Sequence, residues 1–252
     1  MIAIIPAAGK GTRLKPLTDI APKPLLPVYN KPMVFYPLLT LKEAGIRDVV
    51  MVVDNDNRED FETFFKDGKE FGFNIRYVVQ SERLGIAHAI SMAEKIAKGQ
   101  EIIIIHGDNI FEGSVVDSIN RFKKQSFEIN GKKLKGGKII LTEMEDPRRF
   151  GVAELDGERV IGLEEKPENP KSNWITTGLY MFDERVFDII KTLKPSNRGE
   201  YEVTDICKFY LSEGTLTCEK LEGKWFDVGT IDALHEASDY IAQNERLREG
   251  QL

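Results

Sequence analysis

The sequence of 252 residues has few cysteines and no excess of positive charge. Its two cysteines, Cys207 and Cys218, are too few for a disulfide framework and lack metal-ligand spacing, so both are expected to be reduced residues of a cytoplasmic protein. No apolar run reaches the roughly 18–20 residues that a membrane helix needs. The net charge of −6 argues against nucleic acid as a partner, because surfaces that bind nucleic acid are basic. We therefore expect neither nucleic-acid nor membrane binding.

What is present is an ordinary globular composition, with 41% hydrophobic and 30% charged residues. Short β-branched runs predict strands at 1–5, 49–53, 75–79 and 101–106, and amphipathic stretches between them predict helices at 33–44, 60–71 and 84–97. Because the first strand begins at Met1, no signal peptide is expected. Alternating buried strands and helices predict a parallel, doubly wound sheet that is covered on both faces.

The pattern changes after residue 108. A helix is predicted at 114–124, a loop or hairpin tip at 128–138, a strand at 138–143, a further strand at 176–182 and a closing helix at 231–248. Asp156-Gly157 lies between two alternating runs, 152–155 and 159–165, and this arrangement predicts a hairpin. The sheet is therefore expected to be mixed, with an antiparallel elaboration in the second half of a single domain, 1–252.

The stretch Ile5-Pro6-Ala7-Ala8-Gly9-Lys10-Gly11-Thr12-Arg13 follows the first predicted strand directly. Glycines permit a tight turn whose backbone N–H groups can form a concavity for anions, and Lys10 and Arg13 add positive charge. A strand-to-helix turn without a ligand is the alternative, but the interleaved basic residues favour nucleotide phosphate. The order of residues in a Walker A motif does not occur here, and the dinucleotide fingerprint does not fit because position 14, where it needs a third glycine, is leucine.

Lys23 lies between Pro22 and Pro24, in a segment that is predicted to be extended and not helical. A lysine on a stiff backbone could reach a leaving phosphate, and the alternative is a solvated surface lysine. Asp108 follows the fourth strand at the edge where open α/β sheets bind ligands, although an aspartate that caps a turn is also common there. Mg²⁺ prefers one or two carboxylates with phosphate oxygens and water, and Asp227 is the best candidate for the second.

Three further positions have chemistry that suits a nucleotide or a sugar. Gln80 ends the third strand and offers both a donor and an acceptor to a base edge, or is simply a polar strand terminus. Glu165 and Lys166 could hold sugar hydroxyls and a phosphate, or form a solvated ion pair. Both can serve one ligand only if the chain turns before Pro167, because neighbouring residues of a strand point to opposite faces. His88 and His106 are interpreted as structural residues.

The chain resembles the sugar-1-phosphate nucleotidyltransferases along nearly its whole length. The resemblance is carried by an ordered series of motifs: Gly9–Arg13, Pro22–Val28, Lys31-Pro32-Met33, Gly107–Phe111, Phe150-Gly151-Val152, Glu164–Pro167, Lys171-Ser172-Asn173, Thr177–Tyr180, Arg198-Gly199-Glu200, Thr204-Asp205-Ile206 and Trp225–Thr230. It implies a three-layer α/β/α Rossmann-like fold. Within that fold, residues 1–110 would form the nucleotide-binding half, 111–230 the sugar-phosphate-binding half and 231–252 the closing helix.

The resemblance also implies the roles of individual residues. Catalytic roles fall to Arg13, Lys23, Asp108 and Lys166, and Mg²⁺ would be bound by Asp108 and Asp227. Substrate contacts are implied for Ala8, Gly9, Gly11, Thr12, Gln80, Gly85, Asn109, Gly151, Glu165, Thr177, Gly178 and Tyr180. A homo-oligomer is also expected.

The implied reaction joins a sugar-1-phosphate to the α-phosphorus of a nucleoside triphosphate and releases pyrophosphate. The pattern predicts dTTP and glucose-1-phosphate as the preferred substrates. UTP, or another sugar-1-phosphate, is the first alternative, and a nucleotide-binding protein without catalysis is a distant one. The segment Leu84-Gly85-Ile86-Ala87-His88-Ala89 departs from the Asp-Gly-Leu-Ala-Gln-Ala of many bacterial members, which leaves the choice of base open.

Overall fold

Alternate residues of the first strand contact two different hydrophobic cores in the computed structural model, which describes residues 1–252. Ile2 and Ile4 belong to the core on one face of the sheet, and Ala3 and Ile5 to the core on the other. The same alternation runs along Ile102–Ile105. Because successive side chains of a strand point to opposite faces, an unbroken apolar run must be covered on both sides.

The chain forms fifteen strands and nine α-helices, numbered here in chain order. The strands are β1 (Ile2–Pro6), β2 (Pro27–Val28), β3 (Lys31–Pro32), β4 (Asp48–Val53), β5 (Asn74–Val79), β6 (Ile102–Ile105), β7 (Asn109–Phe111), β8 (Phe127–Ile129), β9 (Lys132–Leu134), β10 (Gly137–Glu143), β11 (Gly151–Asp156), β12 (Arg159–Glu165), β13 (Trp174–Phe182), β14 (Leu216–Lys220) and β15 (Trp225–Asp227). The helices are α1 (Phe35–Glu43), α2 (Arg58–Phe65), α3 (Ile86–Ser91), α4 (Glu94–Ala97), α5 (Val116–Lys124), α6 (Val186–Ile190), α7 (Val203–Ser212), α8 (Ile231–Gln243) and α9 (Glu245–Glu249).

One nine-stranded sheet runs through both halves of the chain. Strands β6, β1, β4 and β5 are neighbours in that order and all parallel. Strand β13 joins this group antiparallel to β6. The β11–β12 hairpin and strand β10 extend the sheet from β13, and β14 pairs with β10 in parallel. The α/β class and the antiparallel elaboration in the second half are confirmed. The division into a nucleotide half and a sugar-phosphate half stays a prediction.

Two predicted hairpins are present with turn residues that explain them. Gly157 has a positive φ of 63° between β11 and β12, as a tight hairpin turn requires. In the stretch 128–138, predicted to be a loop or a hairpin tip, strands β8 and β9 form a hairpin with Asn130 at φ 51° and Gly131 at φ 74°. Asparagine and glycine are the residues that adopt this left-handed conformation at low cost.

Several predicted helices are shorter than the sequence pattern suggested. The stretch 60–71 divides into α2 and a 3₁₀ turn, because Lys66 and Gly68 have positive φ values of 50° and 81°. The stretch 84–97 divides into α3 and α4. The closing helix ends at Gln243, and Asn244 begins α9 by accepting a hydrogen bond from the Leu247 N–H at 3.1 Å.

The prediction that the segment around Lys23 is not helical is wrong. Lys23–Leu25 forms one 3₁₀ turn, closed by a bond of 3.1 Å from the Leu26 N–H to the Lys23 carbonyl. Proline is tolerated in this turn because the first residues of a helix have N–H groups without helical partners, so a missing donor costs nothing there.

Candidate functional site

A cleft of about 590 Å³ opens at the carboxyl ends of β1 and β6. Most residues predicted to bind substrate line it. They are Ala8, Gly9, Arg13, Gln80, Gly85, Asn109, Gly151, Glu165, Lys166, Thr177, Gly178, Tyr180 and Asp227. Gly11, Thr12, Lys23 and Asp108 do not line the cleft. Lys23 pairs directly with Asp108, whose neighbour Asn109 is a lining residue.

The glycine loop is held by a buried carboxylate that the sequence analysis did not single out. Asp54 Oδ2 accepts a hydrogen bond of 2.8 Å from the Gly9 N–H, and Oδ1 lies 2.9 Å from Arg83 Nε. Gly11 has φ 57°, and a β-carbon there would lie 2.7 Å from Thr18 Cγ2. Glycine is therefore required at position 11 both by the backbone conformation and by the close approach of Thr18.

The two predicted metal ligands are brought together by a pair of short strands. β7 and β15 are antiparallel, with Asp227 opposite Asn109, and the Val228 N–H donates to the Asp108 carbonyl at 2.9 Å. Burial alone would raise the pKa of Asp108, but Lys23 and His106 hold it below the ordinary value. Burial raises the pKa of Asp227, and the charge of Asp108 raises it further. The two half-buried carboxylates are therefore close enough to affect each other's charge.

This pair suits a divalent cation. The chain has no group of three or more His, Cys, Asp or Glu side chains that could enclose a metal ion. Two carboxylates are nevertheless enough for Mg²⁺, which usually completes its coordination with water and substrate phosphate oxygens. A cation there would also offset the repulsion between the two acids, so the residues fit the predicted group.

Arg13 approaches Asp227 from the glycine loop. A β-carbon on Gly229 would lie 3.0 Å from Arg13 Nη2 and 3.4 Å from Asp227 Oδ2. The guanidinium is therefore close to the end of β15, and it lines the cleft. Glycine at 229 leaves the space in which Arg13 and Asp227 approach one another.

The side chain of Asn109 makes three hydrogen bonds within the protein, which connect Asp108, β13 and β15. Its Nδ2 donates to Asp108 Oδ1 at 2.9 Å, while its Oδ1 accepts from the Gly178 N–H and from Trp225 Nε1, both at 2.9 Å. With its side chain engaged at both ends, Asn109 positions Asp108 and the backbone of β13. Its predicted contact with substrate stays a prediction.

Glu165 and Lys166 both line the cleft because the chain turns between them. Lys166 has φ 45°, which breaks the strand alternation directly before Pro167, as the sequence analysis required. Glu165 Oε2 accepts a hydrogen bond of 2.5 Å from Thr204 Oγ1, and Oε1 lies 3.6 Å from Lys166 Nζ. A β-carbon on Gly151 would lie 2.8 Å from Thr176 Oγ1, so only glycine fits beside this group.

The floor of the cleft is formed by β13. Gly178 lines the cleft with its backbone. A larger residue does not fit there, because a β-carbon would lie 2.6 Å from the His106 ring. The Thr177 hydroxyl donates to the Ile140 carbonyl at 3.0 Å, and Tyr180 OH bonds Thr176 Oγ1 at 3.2 Å. Both hydroxyls are therefore engaged within the protein, and their predicted substrate contacts stay predictions.

At the other end of the cleft, Gln80 follows β5 and is buried. Its Nε2 lies 3.4 Å from the Gly85 carbonyl and 3.0 Å from His88 Nδ1. Gly85 has φ 98°, and a β-carbon there would lie 2.5 Å from the Tyr201 carbonyl oxygen. The loop that carries Gly85 is therefore tightly packed beside Gln80.

Sequence reasoning missed most of the positive charge in the cleft. Arg83, Arg148, Arg149 and Arg198 all line it, together with Glu200, Glu202 and Trp225. Arg198 Nη2 lies 2.8 Å from Glu202 Oε1 and 3.5 Å from Glu165 Oε1. For Arg198 the signal in the sequence is the motif Arg198-Gly199-Glu200, which belongs to the family resemblance but does not by itself indicate a role.

Three comparisons place the chain among known proteins. A family model described as nucleotidyl transferase matches residues 2–244. Glucose-1-phosphate thymidylyltransferases of Neisseria meningitidis and Mycolicibacterium smegmatis are 40% and 41% identical to it, over 98% and 99% of this chain and 85% of each relative.

Solved structures agree on the fold. A Bacillus anthracis protein provisionally assigned as a glucose-1-phosphate thymidylyltransferase, in complex with sucrose, superposes with a TM-score of 0.88 at 39% identity, over 95% of this chain and 94% of that one. A UDP-glucose pyrophosphorylase complexed with UDP-glucose has a TM-score of 0.81 at 24% identity, over 96% and 99% of the two chains, and shares the fold.

None of the helices in this structure has both the length and the apolar character that crossing a membrane requires.

Proposed function

Because this chain belongs to the nucleotidyl transferase family, we propose that it transfers the thymidylyl group of dTTP to glucose-1-phosphate, forming dTDP-glucose and pyrophosphate. The observation that carries the proposal is the cleft in which the glycine loop, Asp227 of the carboxylate pair and the Glu165-Lys166 turn meet. Relatives that are named for this activity are about 40% identical over nearly the whole chain.

In the proposed reaction, an oxygen of the sugar phosphate attacks the α-phosphorus, and the bond from that phosphorus to the pyrophosphate oxygen breaks. A phosphate monoester already carries about −1.5 to −2 charges at pH 7, so no general base is needed. Catalysis then consists of positioning two anions and offsetting their charge. The basic residues of the cleft come from separate segments of the chain, as binding two anionic substrates side by side requires.

We assign the residues to the two substrates by their places in the cleft or directly beside it. Arg13, beside Asp227, would contact the leaving phosphates together with Lys23. Lys166 would hold the phosphate of the sugar, and Glu165 its hydroxyls. Asp108 and Asp227 would bind Mg²⁺, which when bound supplies positive charge to the phosphates. A homo-oligomer and a cytoplasmic location stay predictions.

The test is pyrophosphate release measured with a panel of nucleoside triphosphates against a panel of sugar-1-phosphates. We expect the highest kcat/KM for dTTP with glucose-1-phosphate. UTP should be accepted as well, since one methyl group discriminates by only about 10–200-fold. A preference for UTP would leave the mechanism and change the product, whereas comparable kcat/KM for ATP or GTP would refute a cleft that selects pyrimidine nucleotides.

A further inference from the structure

The hydrogen bonds of Gln80 fix which end of its amide faces the cleft. The amide atom assigned as Nε2 lies 3.4 Å from the Gly85 carbonyl oxygen and 3.0 Å from His88 Nδ1. A carbonyl oxygen only accepts hydrogen bonds, so the amide atom beside it must be the nitrogen and not the oxygen. His88 Nδ1 is then the acceptor of the same NH₂ group, which requires an imidazole without a proton on Nδ1.

The other end of the amide is left for a ligand. Gln80 Oε1 has no hydrogen-bond partner in the chain. The only fully buried polar side-chain atoms without a partner are Arg76 Nε and His106 Nε2, so Gln80 Oε1 is accessible at the surface. Since Gln80 lines the cleft, this oxygen reaches the open space of the cleft. A rigid acceptor is thus presented there.

A rigid acceptor distinguishes pyrimidines by their central ring nitrogen. Thymine and uracil carry a hydrogen on N3 and can donate to an oxygen at this position, whereas N3 of cytosine is itself an acceptor. A glutamine that is free to turn its amide over would serve both kinds of base, because its two ends are nearly the same size. Fixing the amide therefore converts a tolerant contact into a selective one.

We propose that His88 is a positioning residue for base selection: it holds the Gln80 amide so that Oε1 accepts the N3 hydrogen of thymine or uracil, and cytosine nucleotides are rejected. The proposal rests on the proposed function and deepens it. The contribution of His88 should be about 10- to 100-fold, which is the cost of leaving one buried hydrogen-bonding group without its partner.

The experiment compares kcat/KM for UTP and CTP, which share the same ribose, at saturating glucose-1-phosphate. His88→Ala should lower the UTP-to-CTP ratio by about tenfold or more, because the freed amide can turn over. His88→Gln offers an acceptor oxygen to the same NH₂ group and should restore much of the ratio. His235→Ala, at an exposed histidine of α8, is the matched control and should leave the ratio unchanged.

The results separate the proposal from the function on which it rests. A ratio that is unchanged in His88→Ala, or equal losses for UTP and CTP, would overturn the role of His88 while nucleotidyl transfer stands. If His88→Ala does not fold, His88→Gln still decides, since a ratio well below that of the wild type would contradict the assignment. Absence of pyrophosphate release from dTTP and UTP in the wild type would refute the proposed function, and the role of His88 with it.

Discussion

Asp54 gives the sharpest test of how the glycine loop works. Its carboxylate is 4% exposed, and it connects the Gly9 N–H at 2.8 Å with Arg83 Nε at 2.9 Å. Asp54→Ala removes both contacts and leaves the loop to be ordered by the nucleotide itself. A hydrogen bond to a charged group contributes about 1.5–3 kcal/mol, so kcat/KM for dTTP should fall about 10- to 150-fold.

Asp54→Asn separates the two contacts, because asparagine can still accept from Gly9 but offers no charge to Arg83. Its loss of kcat/KM should therefore be smaller than that of Asp54→Ala. Asp67→Ala is the matched control, since this exposed aspartate also accepts a backbone N–H and pairs with a basic side chain, both on Lys69. Steady-state kinetics well below the melting temperature measure the effect. A lower Tm with unchanged kcat/KM in Asp54→Ala would show that the connection only stabilises the fold.

Three further substitutions test the site and the fold. Asp108→Asn should reduce turnover by orders of magnitude at temperatures where the variant is folded, because an amide is a poor ligand for Mg²⁺, and it should also lower the Tm, because Lys23 loses its ion pair; unchanged turnover would remove Asp108 from the mechanism. Arg13→Ala should lower kcat more than it raises KM for glucose-1-phosphate, and the reverse pattern in steady-state kinetics would place Arg13 on the other substrate. Glu219→Gln should cost about 3 kcal/mol in denaturant unfolding at pH 7, because it leaves the buried Lys138 without its ion pair. Burial alone would raise the pKa of Glu219, but hydrogen bonds from Arg121, Lys138 and Ser118 lower it from 4.5 to about 2. The wild type should therefore lose its advantage over this variant as the pH falls from 4.5 towards 2, and a constant difference would contradict the assigned pKa.

The first half of the site could be predicted from the sequence because its signals are local. Ile2–Pro6 is an apolar strand with a glycine loop directly behind it, and Ile102–Ile105 is followed closely by Asp108. The ends of parallel neighbouring strands lie at one edge of a sheet, so these residues had to meet. The turn at Lys166 was likewise predictable, since Pro167 follows it and both charges were needed on one side.

The remainder depends on contacts between distant segments. Asp227 reaches Asp108 through β7 and β15, strands of only three residues, so the sequence made Asp227 a candidate and the family resemblance indicated that it shares a metal with Asp108. Arg83 and Asp54 are separated by almost thirty residues of sequence, and neither lies in a motif that was recognised. The break between α3 and α4 has no explanation in the local sequence, since Met92 and Ala93 both favour helix.

Asn109 shows how the two halves of the cleft are connected. One end of its amide holds Asp108, on the side proposed for the nucleotide, and the other end holds the Gly178 N–H at the floor of the cleft, beside the side proposed for the sugar. The same oxygen also accepts from Trp225, two residues before Asp227. A shift of β13 would therefore displace the carboxylate pair, because a 1% exposed amide with three good hydrogen bonds has no alternative partners. The reaction needs two anions in line, and one buried side chain makes the positions that receive them depend on each other.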